Sequence, residues 1–165
     1  MKLLVTYMEL RAAPAPPPLR QPEGALQLAP ERLSYQAYLS LYRDIGGPYS
    51  WDQRLRMPAA ALADILSRPT TVAFVMREAG RPVGLCEFDA ADPETIELTH
   101  FGLVPEVYGR RLGPFLLDSG LRAMWTSGVG RIWLRTDTND HPRAQKTYER
   151  AGFRPYLRQV EELPD

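Results

Sequence analysis

The sequence predicts a mixed α/β fold, in which helices pack on the faces of a central β-sheet. Three observations predict it. Apolar residues alternate at strand spacing in some segments and recur at helical spacing in others. These segments follow one another in the order β-α-α-β-β-β-α-β-α-β. The chain of 165 residues is long enough for one hydrophobic core, so residues 1–165 are expected to form a single domain.

The N-terminal part of the chain predicts one strand, a stiff connector and two helices. Apolar and polar residues alternate over Leu3–Glu9, which indicates a strand. The connector, residues 11–24, contains the run Pro14–Pro18, which must be extended because proline cannot continue a helix. A proline-rich ligand that binds a partner protein is the alternative interpretation. Helical spacing then predicts a helix whose apolar stripe runs from Leu33 to Tyr42 and which ends at the stop signal Gly46-Gly47-Pro48. A second short helix is predicted over Ala59–Leu66.

The remainder of the chain predicts five strands and two helices. The turn Glu78-Ala79-Gly80-Arg81 has the length that joins two strands in a hairpin. The predicted strands are Thr71–Arg77, Pro82–Phe88, Thr95–Val104, Arg131–Thr136 and Phe153–Val160, and the predicted helices are Leu112–Trp125 and Arg143–Ala151.

The composition excludes several classes of protein. Hydrophobic residues make up 44% of the chain and charged residues 24%, as in ordinary globular proteins, which excludes wholesale disorder. The net charge is zero, with 20 basic and 20 acidic residues, whereas nucleic-acid-binding proteins usually carry a basic excess. We therefore expect no nucleic-acid partner. The one cysteine, Cys86, cannot form an internal disulfide, and the apolar run around it predicts burial.

No segment predicts a membrane partner. No apolar run approaches the ~18 residues that a membrane span needs. The apolar start of the chain, Met1–Val5, begins like a signal peptide but is interrupted by Thr6, and no cleavage site follows. We therefore expect a soluble, cytoplasmic protein.

The most informative segment leads from a predicted strand into a helix through a glycine-containing turn. Gly109 and Gly113 would allow a ligand to approach the backbone closely, and Arg110 and Arg111 add positive charge. The amides at the start of a helix carry a partial positive charge, so this arrangement favours a phosphate or pyrophosphate. A plain strand-to-helix turn has the same pattern. The Gly-Lys-Ser/Thr ending of a P-loop is absent.

Two segments on either side of a predicted strand are similar to motifs of one family. Pro105-Glu106-Val107-Tyr108-Gly109-Arg110-Arg111-Leu112-Gly113 resembles the PEYRGRGIG segment of the GCN5-related N-acetyltransferase (GNAT) superfamily. Ala144–Phe153, with the sequence AQKTYERAGF, resembles that family's AxxxYExxGF ending. The resemblance is clear from about Thr71 onward. It implies a mostly antiparallel sheet splayed at its middle. It also implies an acetyl-CoA-dependent N-acetyltransferase that needs no metal and transfers the acetyl group to a primary amine by direct attack in a ternary complex.

The resemblance also implies where acetyl-CoA binds. The backbone of Phe101, Leu103 and Val104 would pair with the pantetheine arm like an added strand. The pyrophosphate would lie on the turn made by Gly109, Arg110, Arg111, Leu112 and Gly113. The family pattern here is Gln/Arg-x-x-Gly-x-Gly/Ala, and Tyr108 and Arg111 replace its first and fourth residues. His141 stands where the family often has an asparagine that contacts the cofactor.

Acetyl transfer to an amine needs a base for the ammonium proton and an acid for the departing thiolate. By position in the family motif, Glu97 or a water that it holds is the base. A carboxylate on the exposed face of a half-buried strand, with no catalytic role, is the alternative for Glu97. His100 is the competing candidate. Tyr148 occupies the position whose hydroxyl lies near the sulfur, and it is the proposed acid. A tyrosine at that position that only packs in the core is the alternative.

The acceptor is poorly defined by the sequence. Tyr49 and Trp51 follow the second glycine of a Gly/Pro-rich loop, where they would line an acceptor pocket or pack beneath the loop. A small-molecule amine and a peptide amine both remain open, as does a homodimer. The rival interpretation is a non-catalytic acyl-CoA-binding or sensor module on the same fold.

Overall fold

One seven-stranded β-sheet runs through the protein, with helices on both of its faces. The computed structural model describes residues 1–163. The strands are β1 (Lys2–Leu10), β2 (Leu26–Pro30), β3 (Thr71–Glu78), β4 (Arg81–Asp89), β5 (Thr95–Leu103), β6 (Arg131–Asp137) and β7 (Arg154–Glu162). The helices are α1 (Tyr35–Gly46), α2 (Gln53–Arg56), α3 (Ala59–Ser67), α4 (Leu112–Met124) and α5 (Ala144–Ala151). The strand order is β2-β3-β4-β5-β6-β1-β7, and all neighbours are antiparallel except β5 and β6. The predicted mixed α/β fold is confirmed.

The structure adds two short elements that the sequence pattern does not predict. Strand β2 is 5 residues long and pairs with β3 at the edge of the sheet. It ends in Pro30, which an edge strand tolerates because no further neighbour needs the missing N–H. Helix α2 is a single turn of 4 residues. Helix α1 ends at Gly46, at the stop signal that the sequence predicts.

Helix α1 and helix α4 cover opposite faces of the sheet. Ser34 begins α1, where its side chain accepts a hydrogen bond from the amide of Ala37. On β4, Glu87 hydrogen-bonds Tyr38 of α1, whereas the next residue, Phe88, lies against Gly120 of α4. Successive residues of a strand point to opposite faces, so the two helices enclose the sheet. Within residues 1–163, no helix has the length and apolar character needed to cross a membrane.

A β-bulge at Thr99 changes which residues of β5 share a face. Phe88 is paired with Leu98 but Glu87 is paired with His100, so β5 has one extra residue between these pairs. His100 therefore points to the α1 face together with Glu87, although it is two residues from Leu98. Plain alternation along the predicted strand would have placed Leu98 and His100 on the same face.

The sheet splays between β5 and β6. These strands pair over only three residues of each, Thr95–Glu97 against Arg131–Trp133. Beyond Glu97, β5 continues along β4 to Leu103 without pairing to β6. The open wedge between the two strands is the splay that the resemblance implies.

The proline-rich connector lies against α4. Arg122 of α4 donates hydrogen bonds to the carbonyl oxygens of Pro14, Ala15 and Pro17, the shortest of them 2.6 Å to Ala15. The amide of Leu19 donates to the carboxylate of Asp118 on the same helix, at 3.1 Å. The connector is thus bound to the protein's own surface along much of its length.

Candidate active site

A cavity of about 380 Å³ lies in the wedge between β5 and β6. Its walls come from β5, the β5–α4 loop, the start of α4, the segment from β6 into α5, and the turn after α1. The predicted site residues that line it are Phe101, Leu103, Gly109, Arg111, Leu112, Gly113, His141 and Tyr148. Glu97, Val104 and Arg110 do not line it.

The edge of β5 presents backbone groups to the cavity. The amide of Val104 donates to the carbonyl oxygen of Val83 on β4, at 2.9 Å. Backbone groups of alternate residues point to alternate sides of a strand, so those of Phe101 and Leu103 point away from β4 into the wedge. For Val104 the expectation is wrong, because its amide and its carbonyl oxygen are already bonded, the latter to the amide of Val107.

The start of α4 forms the second wall. Arg111 precedes the helix in the left-handed region, with φ of 61° and ψ of 23°, and no side chain caps the first amides of α4. A non-glycine residue in this conformation is strained, and such strain is common at ligand-binding sites. A Cβ at Gly113 would lie 3.7 Å from Leu103 Cδ1, so the bare glycine leaves room between the helix start and β5. The free amides and this space suit an anion.

Arginine side chains differ in whether they reach the cavity. Arg111, Arg143 and Arg150 line it. Arg110, which we predicted to bind the cofactor, instead forms a two-pronged ion pair with Glu78 at the end of β3, with Nη1 2.7 Å from Oε1. Its guanidinium group is therefore not directed at the cavity. The sequence did not predict that Arg143 and Arg150 line the cavity. The pattern of α5 predicts a helix but does not indicate which of its side chains face the wedge between β5 and β6.

Tyr148 is almost fully buried and lines the cavity from α5. Its ring contacts those of Phe101 and Phe153, with centroids 5.8 and 6.0 Å apart. Its hydroxyl makes no hydrogen bond to any of residues 1–163. Burial, with a smaller contribution from the Asp140 carboxylate, raises the pKa of Tyr148 well above its ordinary value. The phenol therefore stays protonated at neutral pH and can donate a proton.

Three aromatic side chains from three loops meet at the mouth of the cavity. The hydroxyl groups of Tyr49 and Tyr108 are 3.3 Å apart. The ring of His141 contacts both, with centroids 5.4 Å from Tyr49 and 5.1 Å from Tyr108. Nδ1 of His141 accepts a hydrogen bond from the amide of Arg143, at 3.0 Å. Burial and the neighbouring Arg143 charge lower the pKa of His141, which favours the neutral imidazole.

Glu97 lies deeper along β5, where that strand still pairs with β6. It is paired with Asp89 of β4 on the face of the sheet that carries α1. Burial and the Asp89 carboxylate raise the pKa of Glu97. Phe101 is four residues further along, or about 13 Å at the ordinary rise of a strand. Glu97 can therefore reach a group beside Phe101 only through intervening water.

A buried ionic network lies beneath the turn that carries Trp51. Glu87 is 1% exposed and accepts hydrogen bonds from Arg54, at 2.6 Å, from Tyr38 and from Thr99. Nδ1 of His100 is 3.6 Å from a Glu87 oxygen. Burial alone would raise the pKa of Glu87, but His100 and Arg54 lower it to about 2. The isolated carboxylate in the apolar run Val83–Phe88 was the sequence signal for this network.

The described residues show no ready-made metal site. Within residues 1–163, no three His, Cys, Asp or Glu side chains come together in a way that could hold an ion. Cys86 is buried and its thiol is free, as its apolar surroundings predict. Burial raises the pKa of this thiol, which keeps it from acting as a thiolate.

Comparisons with known proteins agree with this architecture. The sequence model of the acetyltransferase (GNAT) family matches residues 36–153. Uncharacterized N-acetyltransferases of Mycobacterium bovis and Mycobacterium tuberculosis are 28% identical over 98 residues, which is 59% of this chain and 62% of theirs. The matched part is thus less than two thirds of those relatives.

Solved structures share the fold at low sequence identity. A GCN5-related N-acetyltransferase from Sphaerobacter thermophilus matches 96% of this chain and 50% of its own, with a TM-score of 0.67 and 18% identity. An aminoglycoside acetyltransferase from an uncultured soil metagenomic sample, in complex with sisomicin, matches 78% of this chain and 88% of its own. Its TM-score is 0.63 and its identity 11%.

Proposed function

The chain belongs to the GNAT family of acetyltransferases, and on that premise we propose that it is an acetyl-CoA-dependent N-acetyltransferase acting on a primary amine. One observation carries the proposal: a single cavity brings the open backbone edge of β5 together with the uncapped start of α4. An extended amide-containing arm suits the first, and a pyrophosphate suits the second.

The residues present fit acetyl-CoA. The backbone groups of Phe101 and Leu103 would hold the pantetheine arm as a strand holds its neighbour. The amides around Leu112 and Gly113 would hold the pyrophosphate, although Pro114 has no N–H to donate. Arg111, Arg143 and Arg150 supply positive charge around this end of the cavity. His141, being neutral and bonded through Nδ1, would contact the cofactor only through its other ring nitrogen or its face.

Acetyl-CoA supplies a thioester whose carbonyl carbon accepts an amine. In the transfer, the amine nitrogen forms a bond to that carbon and the carbon–sulfur bond breaks. Tyr148 is proposed to give its phenolic proton to the departing sulfur, and the second proton that the nitrogen loses as the amide forms restores the phenol. Glu97 is proposed to take the ammonium proton through water, and its raised pKa brings it closer to the range useful for that task. His100 remains the alternative base, since its ring contacts that of Trp51, which lines the cavity.

The experiment uses the purified full chain and measures two properties. CoA should raise the melting temperature, because a ligand that binds only the native state adds ~2.7 kcal/mol of stability at a hundredfold excess over Kd. Acetyl-CoA together with an amine should release free thiol. CoA binding without thiol release from any amine would favour the sensor module, and no CoA-dependent shift would exclude both.

A glycine substitution tests the proposed position of the cofactor. Gly113→Val should abolish the CoA-dependent shift, because its side chain would fill the space beside Leu103 and Phe101. Gly130→Val is the matched control, since a Cβ there would meet only the backbone oxygen of Glu94 at 3.5 Å, outside the cavity. A full shift in Gly113→Val would show that the cofactor binds elsewhere.

A further inference from the structure

One end of the cavity is built from aromatic and apolar side chains. Ile45, in the last turn of α1, lines it there together with Tyr49 and Trp51, which lie on the turn that follows. A Cβ at Gly102 would lie 3.5 Å from the Trp51 indole and 2.5 Å from Ile45 Cγ2, so both side chains lie directly on the backbone of β5. They cover the face opposite to that of Phe101. An acceptor that enters from the α1 side must therefore pass the indole.

The Trp51 indole is held firmly in this position. A Cβ at Gly46 would fall 2.3 Å from Trp51 Cβ, so the tryptophan packs in the space that the glycine leaves. Its ring contacts those of Tyr42 and His100, with centroids 5.4 and 5.5 Å apart. The amide of Trp51 also donates to the carbonyl oxygen of Gly46, at 3.1 Å. Because the indole is only half-buried, the rest of its surface forms a fixed apolar wall of the cavity.

The charge of the cavity is unsuited to an acceptor with several ammonium groups. Among residues 1–163, Asp140 is the one carboxylate in the lining. It already accepts hydrogen bonds from the Thr136 hydroxyl and the Asp137 amide, and burial raises its pKa. A polyamine or aminoglycoside would therefore find no uncommitted carboxylate in the lining to pair with its several ammonium groups.

We infer that the acceptor is a primary monoamine carried on an aromatic or flat apolar group, which stacks on Trp51 beneath Tyr49. This rests on the proposed acetyl transfer and names its substrate class. An aromatic ring can lie against the indole with offset or edge-on geometry, which adds attraction beyond burial of area. The Tyr49 hydroxyl, 3.3 Å from that of Tyr108, holds the ring that covers the bound group. The amine nitrogen then points along Gly102 towards the thioester beside Phe101.

The experiment compares acceptors in the thiol-release assay with the full chain and acetyl-CoA. The aryl monoamines are 2-phenylethylamine and tryptamine, the polycations are spermidine and kanamycin, and ethanolamine is the small polar reference. We expect kcat/KM for the aryl monoamines to exceed that for ethanolamine by roughly 10–200-fold, the range that a fitted apolar pocket gives. Spermidine and kanamycin should not exceed ethanolamine.

Two substitutions, at Trp51 and Tyr49, test the aromatic wall of the acceptor pocket. A substitution of Trp125 is the matched control. Trp51→Leu should reduce the ratio of aryl amine to ethanolamine by roughly 10-fold or more. Tyr49→Ala, in a less buried part of the mouth, should reduce the same ratio and serves where Trp51→Leu does not fold. Trp125→Leu, at the end of α4 and outside the cavity, should keep the ratio. A retained CoA-dependent melting shift shows that each variant is folded and binds the cofactor.

The outcomes separate this inference from the function on which it rests. If CoA does not stabilise the protein, the proposed acetyl transfer itself fails. If CoA binds but polycations or ethanolamine are preferred, or no aryl amine releases thiol, the inferred acceptor class is overturned. An unchanged ratio in both Trp51→Leu and Tyr49→Ala would also overturn it.

Discussion

Replacing the buried carboxylate Glu87 by glutamine should destabilise the protein by about 3 kcal/mol at pH 7. Glu87 is 1% exposed and Arg54 is 6% exposed, and their nearest atoms are 2.6 Å apart. The Glu87 pKa is about 2 in the folded protein. In an unfolded chain it is ~4.3, and the difference of ~2.3 units corresponds to about 3 kcal/mol. Removing one partner of a buried ion pair typically costs about 3–5 kcal/mol, in agreement with this value.

The pH dependence gives the sign of the effect. Because the Glu87 pKa is depressed in the folded state, its contribution is fully present above the unfolded value of ~4.3 and is lost as the pH falls towards 2. The free energy of unfolding, measured by urea titration between pH 7 and pH 3, should therefore fall with acid less steeply in Glu87→Gln than in the wild type. Asp64→Asn, in an exposed ion pair with Arg68, is the control and should change stability by less than about 0.5 kcal/mol.

A double substitution checks that the effect arises from the pair. Arg54→Met combined with Glu87→Gln removes both charges, and its free energy of unfolding should lie closer to the wild type than that of Glu87→Gln alone. A loss below about 1 kcal/mol in Glu87→Gln, or a loss that does not change with pH, would refute the reasoning from the buried network.

Three further predictions concern the site and the connector. Tyr148→Phe removes the proposed acid, so we expect kcat to fall by roughly 10²–10⁴-fold. It keeps the ring that packs on Phe101, so KM for acetyl-CoA should change little. Turnover within about threefold of the wild type would exclude Tyr148 as the acid. Glu97→Gln should abolish the rise of kcat/KM with pH that comes from ionisation of Glu97, whose pKa is raised; if the rise persists and His100→Gln removes it, His100 is the base. Arg122→Ala should speed trypsin cleavage after Arg20, next to the segment that Arg122 holds, while the CoA-dependent melting shift is kept. Equal cleavage rates, followed by mass spectrometry, would show that the arginine does not hold the connector.

The sequence predicts those parts of the fold that depend on local pattern. Periodicity locates α4 and β3 to β5 closely, because their apolar faces repeat over many residues. Strand β2 is missed because it is short and is stabilised by its pairing with β3 rather than by its own pattern. The bulge at Thr99 is not predictable from the sequence either, because it depends on the register between β4 and β5.

The candidate site likewise has parts that the sequence predicts and parts that it does not. Backbone features of the loop are predictable, because Gly109, Gly113 and the start of a helix are visible in sequence. The directions of side chains are not predictable from sequence. Arg110, on the loop before α4, forms an ion pair with Glu78 at the end of β3. Arg54 and Glu87 are 33 residues apart, and only the folded chain brings their charges together.

The place of β1 within the sheet has a consequence for synthesis of the protein on the ribosome. This strand lies between β6 and β7 and pairs with both, although it is made before either of them. At ~5–20 residues per second, β1 waits roughly 6 to 24 s for β6 to be translated. Through that time Val5 and Met8, both almost inaccessible in the finished protein, have no strand to pair with. During this interval the nascent chain therefore exposes an apolar segment, and the β6–β1–β7 part of the sheet can assemble only after β6 and β7 have both been made.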